Sequence, residues 1–185
     1  MNHLATSKED ILAASRDLIK ETGWAAVSIR AVASRCSVSA GTIYNYYESK
    51  ADLLSDTIES IWHEIFFHPE AEQVFHDVES CISWIYERLE YGNSQFPGFF
   101  SLHSFGFMRD EKTSGKKKMM QTWGHILNGL CEVLENDPKV RSDLFDKQFT
   151  EKKFADILFS LILVSMIRQD YDPSSVLMLV KKTLY

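Results

Sequence analysis

The sequence predicts an all-α fold, with an N-terminal three-helix helix-turn-helix domain followed by a C-terminal helical domain, about nine helices in total. Three observations support this prediction. Apolar residues recur three and four positions apart through most of the 185 residues, which is the spacing of one helix face. Ser, Thr, Gly and Pro residues stand at the ends of these stretches as caps and breakers. No segment alternates apolar and polar residues for long enough to predict a strand.

The first helix begins at a capping box, in which the side chains of Ser7 and Asp10 satisfy free backbone N–H groups. Its buried stripe is predicted to consist of Ile11, Ala14, Leu18 and Ile19. Gly23 then ends the helix, because glycine is the residue best suited to the backbone of a helix C-terminus.

Two short helices joined by a tight turn follow, over about residues 28–47. Ser28 is the N-cap of the first one, which ends near Cys36 or Ser37. Its inward face is predicted to consist of Ile29, Val32 and Ala33. Ser39 caps the second helix, which runs through residues 40–47 with Ile43 and Tyr47 facing inward.

The second of these helices has the residue types of a helix that reads the DNA major groove. Small residues at its start allow backbone N–H groups to approach phosphate, which the helix dipole also attracts. The predicted phosphate anchors are Ser28, Thr42, Tyr46 and Lys50. The candidates for base readout are Arg30, Ala40 and Asn45. The predicted surface also includes Ser39, Gly41 and Tyr44. The alternative is that the aromatic residues are plain core, which we favour for Tyr47.

The same residues resemble the TetR family of bacterial regulators. The matching positions are Ser39, Gly41-Thr42-Ile43-Tyr44, Tyr47, Ser49-Lys50 and Leu53. The segment ILAASRDLIKETGWAAVSIRAVA also resembles the family's first two helices. One departure is Ser37, where the family usually has Gly in the turn. A residue with a Cβ held left-handed costs about 1–2 kcal/mol, so a strained or altered turn is expected.

Together these patterns predict three regions: a DNA-binding domain in residues 1–50, a connecting helix in 51–67 and a regulatory and dimerisation domain in 68–185. The connecting helix follows Ser49 and Asp52, which form another cap, and extends to about Phe67. A stripe from Val74 to Leu89 predicts the next helix, which Gly92-Asn93-Ser94 should break.

Four further elements are predicted after this break. A short Phe-rich helix follows Pro97, and a loop from Asp110 to Gly115 precedes a long helix that Asn136-Asp137-Pro138 closes. The last two helices cover about Thr150–Arg168 and Pro173–Leu184, the second with Asp172 as cap and Pro173 in its first turn.

The last two helices are apolar around most of their circumference and must be covered on all sides. In the family that the chain resembles, the last two long helices form a four-helix dimer interface. We therefore expect a homodimer through these helices. The alternative is that both are buried within one chain.

The aromatic and soft apolar residues of the middle region suggest a pocket for an unknown small apolar or aromatic effector. Its candidate lining is Trp84, Phe100, His103, Phe107, Met120 and Trp123. The alternative is that these residues are ordinary core.

Charge divides unevenly along the chain, whose formal net charge is −6. Residues 1–50 carry six basic and five acidic residues, whereas the remainder carries 14 and 21. We expect the acidic part to stay off DNA, and each subunit to make few phosphate contacts.

Three distant cysteines predict neither a disulfide framework nor a metal site, and favour a reducing cytoplasm. The start lacks the apolar core of a signal peptide, and no apolar run is long enough to span a bilayer.

The sequence contains no nucleophile elbow, phosphate-binding loop, dinucleotide-binding or zinc-protease motif, so we expect neither an enzyme nor a cofactor. The predicted function is a dimeric repressor that a small-molecule effector releases from a palindromic double-stranded operator. The alternative is a helical DNA-anchoring or scaffold protein without promoter-specific regulation.

Overall fold

The computed structural model describes residues 6–66, 75–100 and 114–185, with the side chains of the last range described from residue 120. In these ranges the chain forms eight α-helices, one 3₁₀ helix and no strand, so the predicted all-α fold is confirmed. The elements are α1 (Lys8–Thr22), a 3₁₀ helix (Trp24–Ala26), α2 (Ile29–Arg35), α3 (Ala40–Tyr44), α4 (Lys50–Phe66), α5 (Val78–Gln95), α6 (Ser114–Asn136), α7 (Glu151–Arg168) and α8 (Ser174–Leu184).

The chain divides into two compact units, which we call the amino-terminal and carboxy-terminal units. The amino-terminal unit consists of residues 1–67 and 92–119, and the carboxy-terminal unit of residues 68–91 and 120–185.

In the amino-terminal unit, α1 begins at the predicted capping box. The Ser7 hydroxyl oxygen accepts from the Asp10 backbone N–H at 3.1 Å, and the Asp10 carboxylate accepts from the Ser7 backbone N–H at 2.8 Å. At the other end, the Gly23 N–H donates to the Ile19 carbonyl at 2.9 Å, with a left-handed φ of 83°. The core of this unit contains Ile11, Ile19, Val27, Val32, Ile43, Leu53, Ile61 and Ile65.

The predicted break at Gly92-Asn93-Ser94 is wrong, because α5 continues through these residues to Gln95. The reason is tertiary packing. A Cβ placed on Gly92 would lie 2.6 Å from Cδ1 of Ile65 on α4 and 3.0 Å from Cζ of Phe100. Glycine costs a helix interior about 1 kcal/mol relative to alanine, but here it permits close contact with α4.

Residues 97–100 form turns rather than the start of the predicted Phe-rich helix, and the rest of that prediction lies outside the described residues. The turn packs through its rings. Trp24 stacks on Phe99 with a centroid distance of 5.7 Å, and Trp62 meets Phe99 and Phe100 edge-on at 5.4 and 5.6 Å. Phe96, at the end of α5, is fully buried.

In the carboxy-terminal unit, the predicted stripe of α5 is buried at Val78, Ile82, Ile85 and Leu89. The helix begins at Val78, and Val74 lies outside the described residues. The predicted loop to Gly115 is too long, because α6 already begins at Ser114. α7 begins one residue after its cap, Thr150, and α8 begins at Ser174, one residue later than predicted.

A buried carboxylate joins three helices of this unit. Asp137, just past the end of α6, accepts from the backbone N–H of Val78 at 3.0 Å and from that of Lys139 at 2.9 Å. The hydroxyl of Tyr185, which follows α8, donates to the same carboxylate. Hydrogen bonds to a buried charge are stronger than neutral ones, so this group fixes the ends of α5, α6 and α8 together.

Candidate DNA-binding surface

The turn between α2 and α3 is a Schellman motif centred on Ser37. The Val38 N–H donates to the Ala33 carbonyl at 2.9 Å, and the Ser37 N–H to the Ser34 carbonyl at 3.1 Å. Ser37 itself has a φ of 56°, in the left-handed region that favours glycine. The strain expected from the sequence is therefore present, while the turn keeps its standard hydrogen bonds.

Ser39 begins α3 as predicted, since its hydroxyl oxygen accepts from the Thr42 N–H at 3.2 Å. The helix ends at Tyr44, sooner than the predicted residues 40–47, and Asn45 is its C-cap. The N–H groups of Asn45 and Tyr46 bond to carbonyls three residues back, so the last turn is tighter than an α-helix. Ile43 and Tyr47 are buried as predicted, and burial raises the pKa of Tyr47.

The remaining side chains of this segment form its outer face. Tyr44 is 56% exposed, and Ser39, Gly41 and Asn45 are also exposed. Three residues are half-buried, namely Ala40, Thr42 and Tyr46. Of the residues predicted to read bases from this segment, Asn45 is therefore exposed and Ala40 is half-buried, so a partner can reach both.

The basic residues of residues 6–66, which we call the head, fall into two groups. Four form ion pairs within the head: Lys8 with Asp56, Arg16 with Glu9 and Glu64, Lys20 with Glu64, and Arg35 with Glu21 and Asp17. The Arg35 guanidinium accordingly lowers the pKa of Glu21. The other two, Arg30 and Lys50, are exposed, and no ion pair among the described residues includes them.

The caps place these two exposed cations at the starts of helices. Ser28 is the N-cap of α2 and accepts from the Ala31 N–H at 3.2 Å, which leaves its hydroxyl proton available and puts Arg30 in the first turn. Ser49 donates to the Asp52 carboxylate at 2.7 Å and accepts from the Asp52 N–H at 3.2 Å, so α4 begins at Lys50.

Tyr46 has a partner that the sequence did not indicate. Its hydroxyl donates to the backbone carbonyl of Thr6, forty positions earlier, at 2.7 Å. The predicted contact of this hydroxyl with phosphate would require the bond to Thr6 to break, because a phenol has one proton to donate. No residue pattern could have identified Thr6, since its contribution is a backbone oxygen.

The predicted effector residues have separate surroundings. Phe100 is buried in the amino-terminal unit. In the carboxy-terminal unit, Trp84 lies against Phe75 at 5.3 Å, Trp123 lies edge-on to Phe159 at 5.9 Å, and Met120 is exposed. His103 and Phe107 lie outside the described residues. A common pocket for this set stays a prediction.

A second candidate surface lies on α7 and α8. The inner face of α7 is buried through Phe154, Leu158, Ile162 and Met166. Its outer face leaves three large apolar side chains exposed, Ile157, Val164 and Ile167, and α8 adds Met178 and Leu179. Among the described residues, the expected burial of both helices on all sides is therefore not complete.

The described residues contain no group of three or more metal-ligating side chains close enough to hold an ion. Within the same ranges, no helix has the length and hydropathy needed to cross a membrane.

Comparisons with known proteins agree with this geometry. Residues 11–57 match the family model described as bacterial regulatory proteins, tetR family. A TetR transcription regulator from Haloarcula marismortui has a TM-score of 0.71 at 16% identity, over 96% of this chain and 98% of that one. The regulator FadR from Bacillus subtilis, solved with stearoyl-CoA, has a TM-score of 0.67 at 17% identity, over 97% and 100% of the two chains. RolR in complex with resorcinol has a TM-score of 0.56 at 16% identity, over 86% and 76%. No curated protein matches the chain.

A helix-turn-helix head followed by further helices is the fold that the chain shares with solved transcriptional regulators. Residues 11–57 match the amino-terminal domain of the TetR family, and the chain as a whole has the fold of TetR-family regulators.

Proposed function

We propose that the chain is a sequence-specific dimeric repressor, released from a palindromic operator by a small-molecule effector. The observation that supports this most directly is the charge arrangement of the head. Arg30 and Lys50 are exposed and outside the head's ion pairs, at the starts of α2 and α4, which precede and follow α3 in the chain. The other basic side chains of the head are already engaged with carboxylates.

The side chains divide into two roles. Lys50, Ser28 and Thr42 anchor phosphates, which sets the register of the head on the duplex without reading sequence. Arg30 and Asn45 read base edges in the major groove, where Arg pairs with guanine and Asn with adenine, and Ala40 contacts a thymine methyl. Tyr44, the aromatic residue of α3, is exposed and adds contact area.

Gly41 supports a close approach of DNA to α3. A Cβ at this position would meet only Ser39 Oγ, at the ordinary contact distance of 3.6 Å. Packing among the described residues therefore does not require glycine here. A backbone that must come close to phosphate or a base does require it, since a side chain would hold the two apart.

The homodimer forms through α7 and α8. Their exposed apolar residues make an uncovered surface, and such a surface favours association with a second copy. A head that reads a few base pairs needs a symmetry mate for its second half-site, about one helical turn away.

The effector is an apolar or aromatic small molecule. Two structural neighbours were solved with compounds that carry an apolar chain or an aromatic ring, FadR with stearoyl-CoA and RolR with resorcinol. Such a molecule releases DNA only if it binds more tightly to a state whose heads no longer fit the operator. A protein of this function acts where the chromosome is, in the cytoplasm.

Selection of genome fragments with the purified protein, at a stated salt concentration, tests the proposal. The expected result is one short palindrome beside a few genes, with two chains bound to each site. The Asn45→Ala variant should retain DNA binding with lower sequence discrimination, while Lys50→Ala should weaken binding to all sequences alike. Retention of DNA without a shared sequence would refute the repressor and favour a DNA-anchoring protein.

A further inference from the structure

The bond between Tyr46 and Thr6 joins two parts of the head that are remote in sequence. The Tyr46 side chain is half-buried, and the acceptor residue Thr6 is only 6% exposed. Thr6 comes directly before Ser7, the N-cap of α1, whereas Tyr46 comes directly after Asn45, the C-cap of α3. One hydrogen bond therefore connects the entry of the chain into α1 with the exit of the chain from α3.

Neighbouring contacts hold the same two segments. The Lys8 ammonium lies 5.7 Å from the centroid of the Tyr47 ring and forms an ion pair with Asp56 of α4 at 2.6 Å. The Cys36 thiol, beside the strained turn, lies 3.8 Å from the Asp10 carbonyl. The start of α1 thus packs against both ends of the segment formed by the turn and α3, and the hydroxyl of Tyr46 makes the shortest of its contacts with that segment.

We propose that Tyr46 is a positioning residue of the DNA-binding surface: through the Thr6 carbonyl it fixes α3 against the start of α1. Its hydroxyl is thereby committed within the head and does not anchor phosphate. The proposal rests on the proposed function, because it concerns how α3 is presented to an operator. Tyr44 is the natural control, since it lies on the same short segment and its side chain is exposed.

Two measurements on the full chain separate the two roles. Tyr46→Phe should weaken operator binding by about twofold to twelvefold for each head, the range for one neutral hydrogen bond. A lost phosphate contact would weaken binding in the same way, so the structure of the free protein has to distinguish the positioning role from the anchoring role.

Hydrogen exchange of the free protein supplies a readout that does not depend on DNA. Tyr46→Phe should raise exchange at the first-turn amides of α1, and Tyr44→Phe should leave it unchanged. Unchanged exchange in Tyr46→Phe would overturn the positioning role, even if operator binding were weaker. Failure of the wild-type chain to select any palindrome would instead refute the proposed function, while the exchange result would still decide whether Tyr46 holds Thr6.

Discussion

The salt dependence of operator binding follows from the ion pairs of the head. A cation that neutralises a DNA phosphate releases a counterion, so log K falls linearly with log salt, with a slope of about −0.9 for each such contact. A cation that is already paired with a carboxylate in the free protein causes little net release of counterions. Lys8, Arg16, Lys20 and Arg35 are paired, whereas Arg30 and Lys50 lie outside the ion pairs among the described residues.

Lys50 alone gives two phosphate contacts for a dimer, and Arg30 raises the count to four if it also neutralises phosphate. The expected slope therefore lies between about −1.8 and −3.6. If all six cations of each head contributed, the slope would be about −11. Lys50→Ala should make the wild-type slope shallower by about 1.8, because two contacts are lost.

Fluorescence anisotropy with a labelled operator, over a series of salt concentrations, measures this slope. Lys8→Ala is the matched control, because it removes a lysine whose ammonium is held by Asp56 at 2.6 Å. We expect its slope to equal that of the wild type. A wild-type slope near −11, or an equal change of slope in Lys8→Ala and Lys50→Ala, would refute the division into paired and available cations.

Three further predictions concern the rest of the chain. Val164→Glu should turn the dimer into a monomer in sedimentation velocity. Met120→Glu, at an exposed apolar residue of α6, should remain a dimer. Dimers in both cases would exclude the α7–α8 interface. Gly129→Ala should stabilise α6 by about 0.5–1 kcal/mol in urea unfolding, because nothing lies within 4 Å of the added Cβ. The same change at Gly92 should give no stabilisation, and equal gains at both positions would contradict the packing argument. Hydrogen bonds from Lys139 and Ser80 lower the pKa of Asp77 from 3.8 to about 2. The stability that this carboxylate contributes to the folded state is therefore complete above pH 4 and is lost as the pH falls to 2. The difference in Tm between wild type and Asp77→Asn should shrink over that interval, and a constant difference would refute this assignment.

Local signals in the sequence were sufficient for much of the fold. The Ser7–Asp10 capping box and the Thr150 cap define helix starts through groups within three residues of each other, and the structure agrees with both. The inward positions Ile43 and Tyr47 also follow from spacing alone. These features depend on short-range hydrogen bonds and periodicity, which any reader of the sequence can see.

Features that depend on remote partners could not be predicted. Gly92 resembles a helix breaker until Ile65 of α4 is known to pack against it. The ion pair of Lys20 with Glu64 joins residues 44 positions apart. The number of cations available to bind phosphate therefore could not be predicted from the sequence. The hydroxyl of Tyr46 similarly has its acceptor in a backbone carbonyl. In each case tertiary contact decides what a local pattern leaves open.

The most direct test of two-fold, sequence-specific reading compares three DNA duplexes at one salt concentration. They carry the selected palindrome, the palindrome with one half-site replaced, and neither half-site. We expect two chains on the full palindrome and an affinity that falls by at least about a thousandfold for the duplex without half-sites, as is typical of specific binding. The duplex with one half-site should bind with an intermediate affinity. Equal affinity for all three duplexes would contradict the account.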